Sequence, residues 1–279
     1  MTQPLPVLFI SHGAPTFALE PGIAGALLQA AGRKLPPIQA VLLVSPHWIT
    51  PGLSVMTAAK PETIYDFNGF DRRLNSMVYP APGHPALAAV TAQLLQSQGL
   101  PVRLDAQRGY DHGAWVPMLH LLPHADVPMF QLSMPHTLTA QGAFELGRML
   151  QPLSAQGLLI VGSGSITHNM NEFSMQGQGD AAYAKEFTHW VRDKVTRGDT
   201  RALIETATQA PHARRAHPTD EHYSPFLVAL GAARPQATVQ VLEGGFTYGV
   251  IGMESYIWHT LDTTATIPKP MPSLAVTQP

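Results

Sequence analysis

The chain is 279 residues long, 45% hydrophobic and only 13% charged, with a formal net charge of -2. That length can bury one large α/β core, and the thin charge leaves no basic field to draw nucleic acid or an anionic membrane surface. The absence of cysteine excludes disulfides, thiolate zinc sites and a cysteine nucleophile, so any metal has to be held by histidine, carboxylate or water.

Strand-length apolar runs fall at 6–10, 40–44, 52–57, 128–132, 158–162 and 238–242, and helical periodicity at 27–31, 86–97, 143–150, 180–195 and 224–230. Pro85 suits a first helical turn, and Gly99-Leu100-Pro101 ends the helix that follows it. This alternation predicts an α/β fold, a single domain with a central, mostly parallel or mixed β-sheet flanked by helices. The 26 prolines and 23 glycines fall mostly in connections such as 79–83 and 217–218, which describes shaped loops on a rigid scaffold. Residues 1–265 read as one folded domain and the proline-rich residues 266–279 as an extended C-terminal tail. With no cationic leader and no apolar run of about 18 residues, a soluble, cytoplasmic protein is expected.

Five histidine contexts stand out. Val7 to Ile10 leads into Ser11-His12-Gly13, and Val41 to Val44 leads into Ser45-Pro46-His47-Trp48. Ligands of an open α/β sheet collect at the carboxyl ends of its strands, so two imidazoles delivered there by neighbouring strands would face one crevice. Either one alone is equally well explained as a strand cap. Tyr110-Asp111-His112-Gly113-Ala114-Trp115 reads as a loop, with Asp111 too close in sequence to His112 to share its proton and free to orient another group. Leu158 to Val161 leads into a glycine and serine loop carrying His168, but without the dinucleotide fingerprint, a Gly-Lys-Ser/Thr sequence or the nucleophile elbow. In His217-Pro218-Thr219-Asp220-Glu221-His222-Tyr223, His222 precedes a helix whose dipole favours a neutral ring, as metal binding requires. His84, His120, His124, His136, His189, His212 and His259 lack such company and read as solvated or capping residues.

These five motifs, in this order, resemble the class III extradiol ring-cleavage dioxygenases, in particular their DOPA dioxygenase branch. The likeness runs from His12 to Gly244-Gly245-Phe246 and includes Ile64-Tyr65-Asp66-Phe67 and Tyr79-Pro80-Ala81-Pro82-Gly83. It implies an enzyme whose domain, 1–265, binds a non-haem metal and inserts both atoms of O2 into a catechol, giving a ring-opened semialdehyde. Carried over residue by residue, His12, His47 and His222 match the metal ligands, His168 the acid-base histidine and His112 a further active-site histidine. His217 would lie beside the ligands or against substrate, while Trp48, Trp115 and Tyr223 are candidates for the ring-binding wall and equally for core packing.

The implied metal is iron(II), although three neutral histidines with an open position also suit zinc(II). Glu221 adjoins His222, but neighbouring helical residues point about 100° apart and rarely share one ligand sphere. The expected partners are a small catechol and O2, with no nucleic acid or membrane, and the protein is expected to be a monomer or small homo-oligomer. Two other readings fit the same residues: a zinc hydrolase, and a non-catalytic metal-binding protein of the same fold.

Overall fold

Residues 3–174 and 179–260 are described by a computed structural model. Its strands are β1 (Val7–Ser11), β2 (Ala40–Thr50), β3 (Leu53–Met56), β4 (Val102–Asp105), β5 (Met129–Pro135), β6 (Leu158–Gly164), β7 (Thr238–Leu242), β8 (Phe246–Thr247), β9 (Ile251–Gly252) and β10 (Ser255–His259). Its α-helices are α1 (Gly22–Gly32), α2 (Pro85–Ser97), α3 (His112–Leu121), α4 (Ala140–Leu150), α5 (Ala182–Arg197), the short α6 (Thr200–Ile204), α7 (Thr206–Gln209) and α8 (Ala213–Ala216), and α9 (Ser224–Ala232). The proposed tail, 266–279, lies outside the described residues. Among the described residues no helix is long and apolar enough to cross a membrane.

Eight strands form one mixed sheet in the order β4-β3-β5-β2-β6-β1-β10-β7. Its centre, β5-β2-β6-β1, is parallel, while β10 runs antiparallel to β1 and β7 and β3 runs antiparallel to β5. The α/β class with a mixed sheet is therefore as expected. Val7–Ile10, Val41–Val44 and Leu158–Val161 are buried throughout, because strands covered on both faces need continuous apolar runs.

Alternation along β6 separates the two faces. A Cβ at Gly162 or Gly164 would lie 2.0 Å from the Pro225 carbonyl oxygen or 2.2 Å from that of His222, so this face carries α9 and the turn before it. Ser163, between them, points to the other face and bonds Gly113 in α3. The glycines of the 162–164 segment thus permit close backbone packing and cradle no phosphate.

Several expectations are corrected. His12 and His47 do not come from neighbouring strands, since β6 lies between β1 and β2. His47 does not follow its strand either: β2 continues to Thr50, with a register shift against β5 between Val44 and Ile49 that sets Ser45–Trp48 apart from regular pairing. The supposed loop at 110–115 is the start of α3, hidden from periodicity by Gly113 and by Pro117 inside the helix. α1 begins at Gly22, earlier than the expected 27–31, because packing overrides the weak propensity of its two early glycines. β4, Val102-Arg103-Leu104-Asp105, has no apolar run to mark it, and β10 has one of only three residues, Tyr256-Ile257-Trp258.

Candidate metal centre

The end of β1 delivers His12, the irregular part of β2 delivers His47, and the turn into α9 delivers His222. One ligand nitrogen from each lies within 4.8 Å of the others, and the Nε2 atoms of His12 and His47 are 3.3 Å apart. Two nitrogens bound at about 2.05 Å to one ion, near the tetrahedral angle, would be separated by about 3.3 Å. The donor spacing therefore fits a divalent metal.

The other nitrogen of each ring faces an acceptor. The Ser163 hydroxyl donates to the Gly113 carbonyl, so its oxygen accepts from His12 Nδ1 at 2.9 Å. That carbonyl is available because its usual helical donor, four residues on, is Pro117, which has no N–H. His222 Nδ1 lies 3.0 Å from Glu221 Oε1, which puts the adjacent carboxylate behind the ring as its support. His47 Nδ1 stands 3.6 Å from Asp66 Oδ2. The Nδ1 bonds of His12 and His222 leave their Nε2 lone pairs free, the tautomer that histidine ligands need, and the Asp66 charge biases His47 in the same direction. Burial, reinforced by the neighbouring imidazoles, holds His12 and His222 well below the ordinary histidine range and brings His47 down to about 4. Three neutral donors result.

Two more histidines flank the trio. His168 stacks on His222, its backbone N–H donating to the Ala216 carbonyl at 2.8 Å. Burial lowers its pKa, and Glu221 partly opposes that. His112, in the first turn of α3, has its ring centroid 3.9 Å from that of His47. Its backbone N–H and its Nδ1 both lie 3.0 Å from Asp66 Oδ1. Burial would raise the Asp66 pKa, but the hydrogen bonds from His112 and the nearby His47 win and hold it at about 2. The groups His47-Asp66-His112 and His168-Glu221-His222 also have metal-like spacing. In both, the carboxylate already faces the Nδ1 of a histidine, which suits a support more than a second ion.

The remaining sequence candidates sit around this cluster. His217 is buried, with Nε2 2.7 Å from the Ile166 carbonyl, and its pKa is lowered by burial to about 4. Tyr223 packs between His217 and Phe226 and shares a 2.9 Å hydrogen bond with Thr206. Trp115 has no exposed surface and donates to the Ile64 carbonyl at 3.1 Å. Trp48 is buried under the Arg108 guanidinium, which lies 5.3 Å from the ring centroid. All four are buried, while Phe67 lies edge-on to His112 at 5.7 Å.

Asp111 does orient groups other than His112. Wholly buried, it accepts from Ser45 Oγ, Arg108 Nη2 and Gln131 Nε2, each at 2.7 Å, and the same Nη2 reaches the His47 carbonyl at 3.1 Å. The backbone of the His47 segment is thus clamped through a buried charge that is fully paired. Sequence reasoning missed Asp66 and Ser163. For Asp66 the available signal was the 64–67 stretch within the family likeness; Ser163 carried no signal beyond its place in an apolar strand.

With this geometry described, comparison with known proteins is informative. Residues 9–258 match the family described as the catalytic LigB subunit of aromatic ring-opening dioxygenase, and the chain belongs to that family. Within it, the chain is an extradiol ring-cleaving dioxygenase similar to the 4,5-DOPA enzymes. It is 37% identical to the 4,5-DOPA dioxygenase extradiol of Beta vulgaris, covering 89% of this chain and 94% of that one. To the protein of the same name from Escherichia coli K12 it is 36% identical, covering 90% and 93%. A crystal structure of an uncharacterised protein from Escherichia coli K12 superposes with a TM-score of 0.77 at 32% identity, covering 91% of this chain and 99% of that one.

Proposed function

We propose that the protein opens a catechol ring beside its hydroxyls, using iron(II) held by His12, His47 and His222. The observation that carries this reading is the convergence of three imidazoles, those of His12 and His222 hydrogen-bonded at Nδ1 and that of His47 facing Asp66, beside two further histidines. The metal, when bound, would acidify the catechol hydroxyls and bring O2 beside the ring.

The side chains have separate tasks. His168 takes a proton from a catechol hydroxyl onto a ring nitrogen and returns it as the ring opens, which its half-buried place beside His222 favours. His112 supplies a second polar contact from the opposite side of the trio. Burial of His12, His222 and His112 keeps water from the reacting face. DOPA or a related catechol is the substrate class, and the product is a ring-opened semialdehyde.

The test is anaerobic loading with iron(II), followed by oxygen uptake with DOPA, caffeate, protocatechuate and catechol. Stoichiometric uptake with a yellow product is expected, and product spectra give the cleavage position. No uptake with any of the four, together with ester or amide hydrolysis by the zinc(II) form, would replace this reading with a hydrolase.

A further inference from the structure

Asp66 lies in the segment between β3 and α2, 46 positions from His112 in sequence, yet both polar hydrogens at the start of α3 point at it. One oxygen, Oδ1, lies 3.0 Å from the backbone nitrogen of His112 and 3.0 Å from its Nδ1. The other, Oδ2, stands 3.6 Å from His47 Nδ1, beyond hydrogen-bond length but close enough for a charge to bias which nitrogen keeps its proton. A single carboxylate therefore serves a proposed metal ligand and a proposed active-site histidine together.

We propose that Asp66 is a positioning residue which fixes His112 as the Nδ1-protonated tautomer, so that Nε2 presents a lone pair to substrate, and which steadies His47 from the same side. The chemistry is that of a carboxylate behind an imidazole. An ionised carboxylate only accepts hydrogen bonds, so the ring nitrogen facing it must carry hydrogen and the other must be the acceptor. The backbone bond adds rigidity, since it ties the carboxylate to the first turn of α3 as well as to the ring. Phe67, next in sequence, packs edge-on against His112 at 5.7 Å and tilted against Trp115 at 6.4 Å, so the loop is fastened to α3 at two residues. His168 has no equivalent carboxylate bonded to its ring among the described residues. The two flanking histidines therefore differ in kind: His112 has a fixed tautomer, and His168 is free to take up and release a proton at either nitrogen.

This inference rests on the proposed function for its kinetic part only. Histidine tautomers are read by nitrogen-15 NMR in the metal-free and zinc(II)-loaded protein, and turnover in the iron(II)-loaded enzyme. In the parent protein His112 should show the Nδ1-H pattern. Asp66→Ala, which removes the acceptor from both donors, should shift His112 toward the Nε2-H form, retain stoichiometric metal and lower kcat about 10–100-fold, the usual range for a group behind an active histidine, whereas Asp66→Asn can keep a carbonyl oxygen at the Oδ1 position and should spare the tautomer. Asp66→Ala should recover part of that loss in added formate, which can occupy the space of the missing carboxylate. An unchanged His112 tautomer in Asp66→Ala would overturn the proposal, as would a kcat of that variant insensitive to formate. If the parent protein consumes no oxygen with any catechol, the reading of the function fails, and the NMR result still decides the role of Asp66.

Discussion

The rings of His168 and His222 lie face to face, 3.5 Å between centroids and 8° from parallel. One belongs to the proposed metal trio and the other to proton transfer, so substitutions on the two sides of this stack should have different consequences. His222→Ala, like His12→Ala and His47→Ala, should abolish stoichiometric metal binding. His168→Gln should keep the metal and lower kcat by about 10²–10⁴, the range for a positioned acid-base group. Metal analysis alongside turnover separates the two, and equal metal loss in all four variants would rule out the division.

Ser163→Ala should weaken metal binding about 10–100-fold without unfolding the protein, because it removes the acceptor that directs the His12 proton to Nδ1. Competition with a chelator measures this. An unchanged affinity would mean that His12 is oriented by packing alone.

Gly164→Ala should cost about 2–3 kcal/mol of stability, since the new methyl would sit 2.2 Å from the His222 carbonyl oxygen, between a central strand and the turn that carries this proposed ligand. Gly52→Ala, where a Cβ meets nothing within 4 Å, is the control and should change stability little. Denaturant titration compares them, and equal stability of the two variants would show that the turn before α9 yields easily.

The metal-free protein should lose stability on acidification. His217 titrates at about 4 when folded, because burial disfavours its charged form, against about 6.5 when unfolded. The unfolded chain therefore binds more protons between these values. Stability from this ring is complete above pH 6.5 and is lost as pH falls toward 4, by up to about 3 kcal/mol. His12, His47 and His222, lowered in the same direction, steepen the slope. Melting curves from pH 8 to 5 test this, and a flat Tm would contradict the neutral cluster.

Much of this centre was legible in the chain because His12, His168 and His222 stand at ends of strands or at the start of a helix, where short-range patterns are strongest. The order of strands was not, since pairing β6 between β1 and β2 depends on contacts more than a hundred residues apart. That order is what brings Ser163 under His12. Asp66 was obscure for a similar reason: it lies in a connection without periodicity and acts across 46 residues. Asp111 was visible as a carboxylate beside a histidine, but its partners Ser45, Arg108 and Gln131 come from three separate segments.

Pro117 sets a limit on how this protein can be made more robust. Replacing a proline inside a helix is an obvious route to higher stability, and Pro117→Ala would restore a backbone N–H four residues beyond Gly113. The restored donor would compete with Ser163 for the Gly113 carbonyl, and a Ser163 hydroxyl turned away from that carbonyl no longer has to receive the His12 proton. A sturdier α3 would thus come with a less certain tautomer at the proposed metal ligand, a case in which an imperfect helix and a working histidine are the same design.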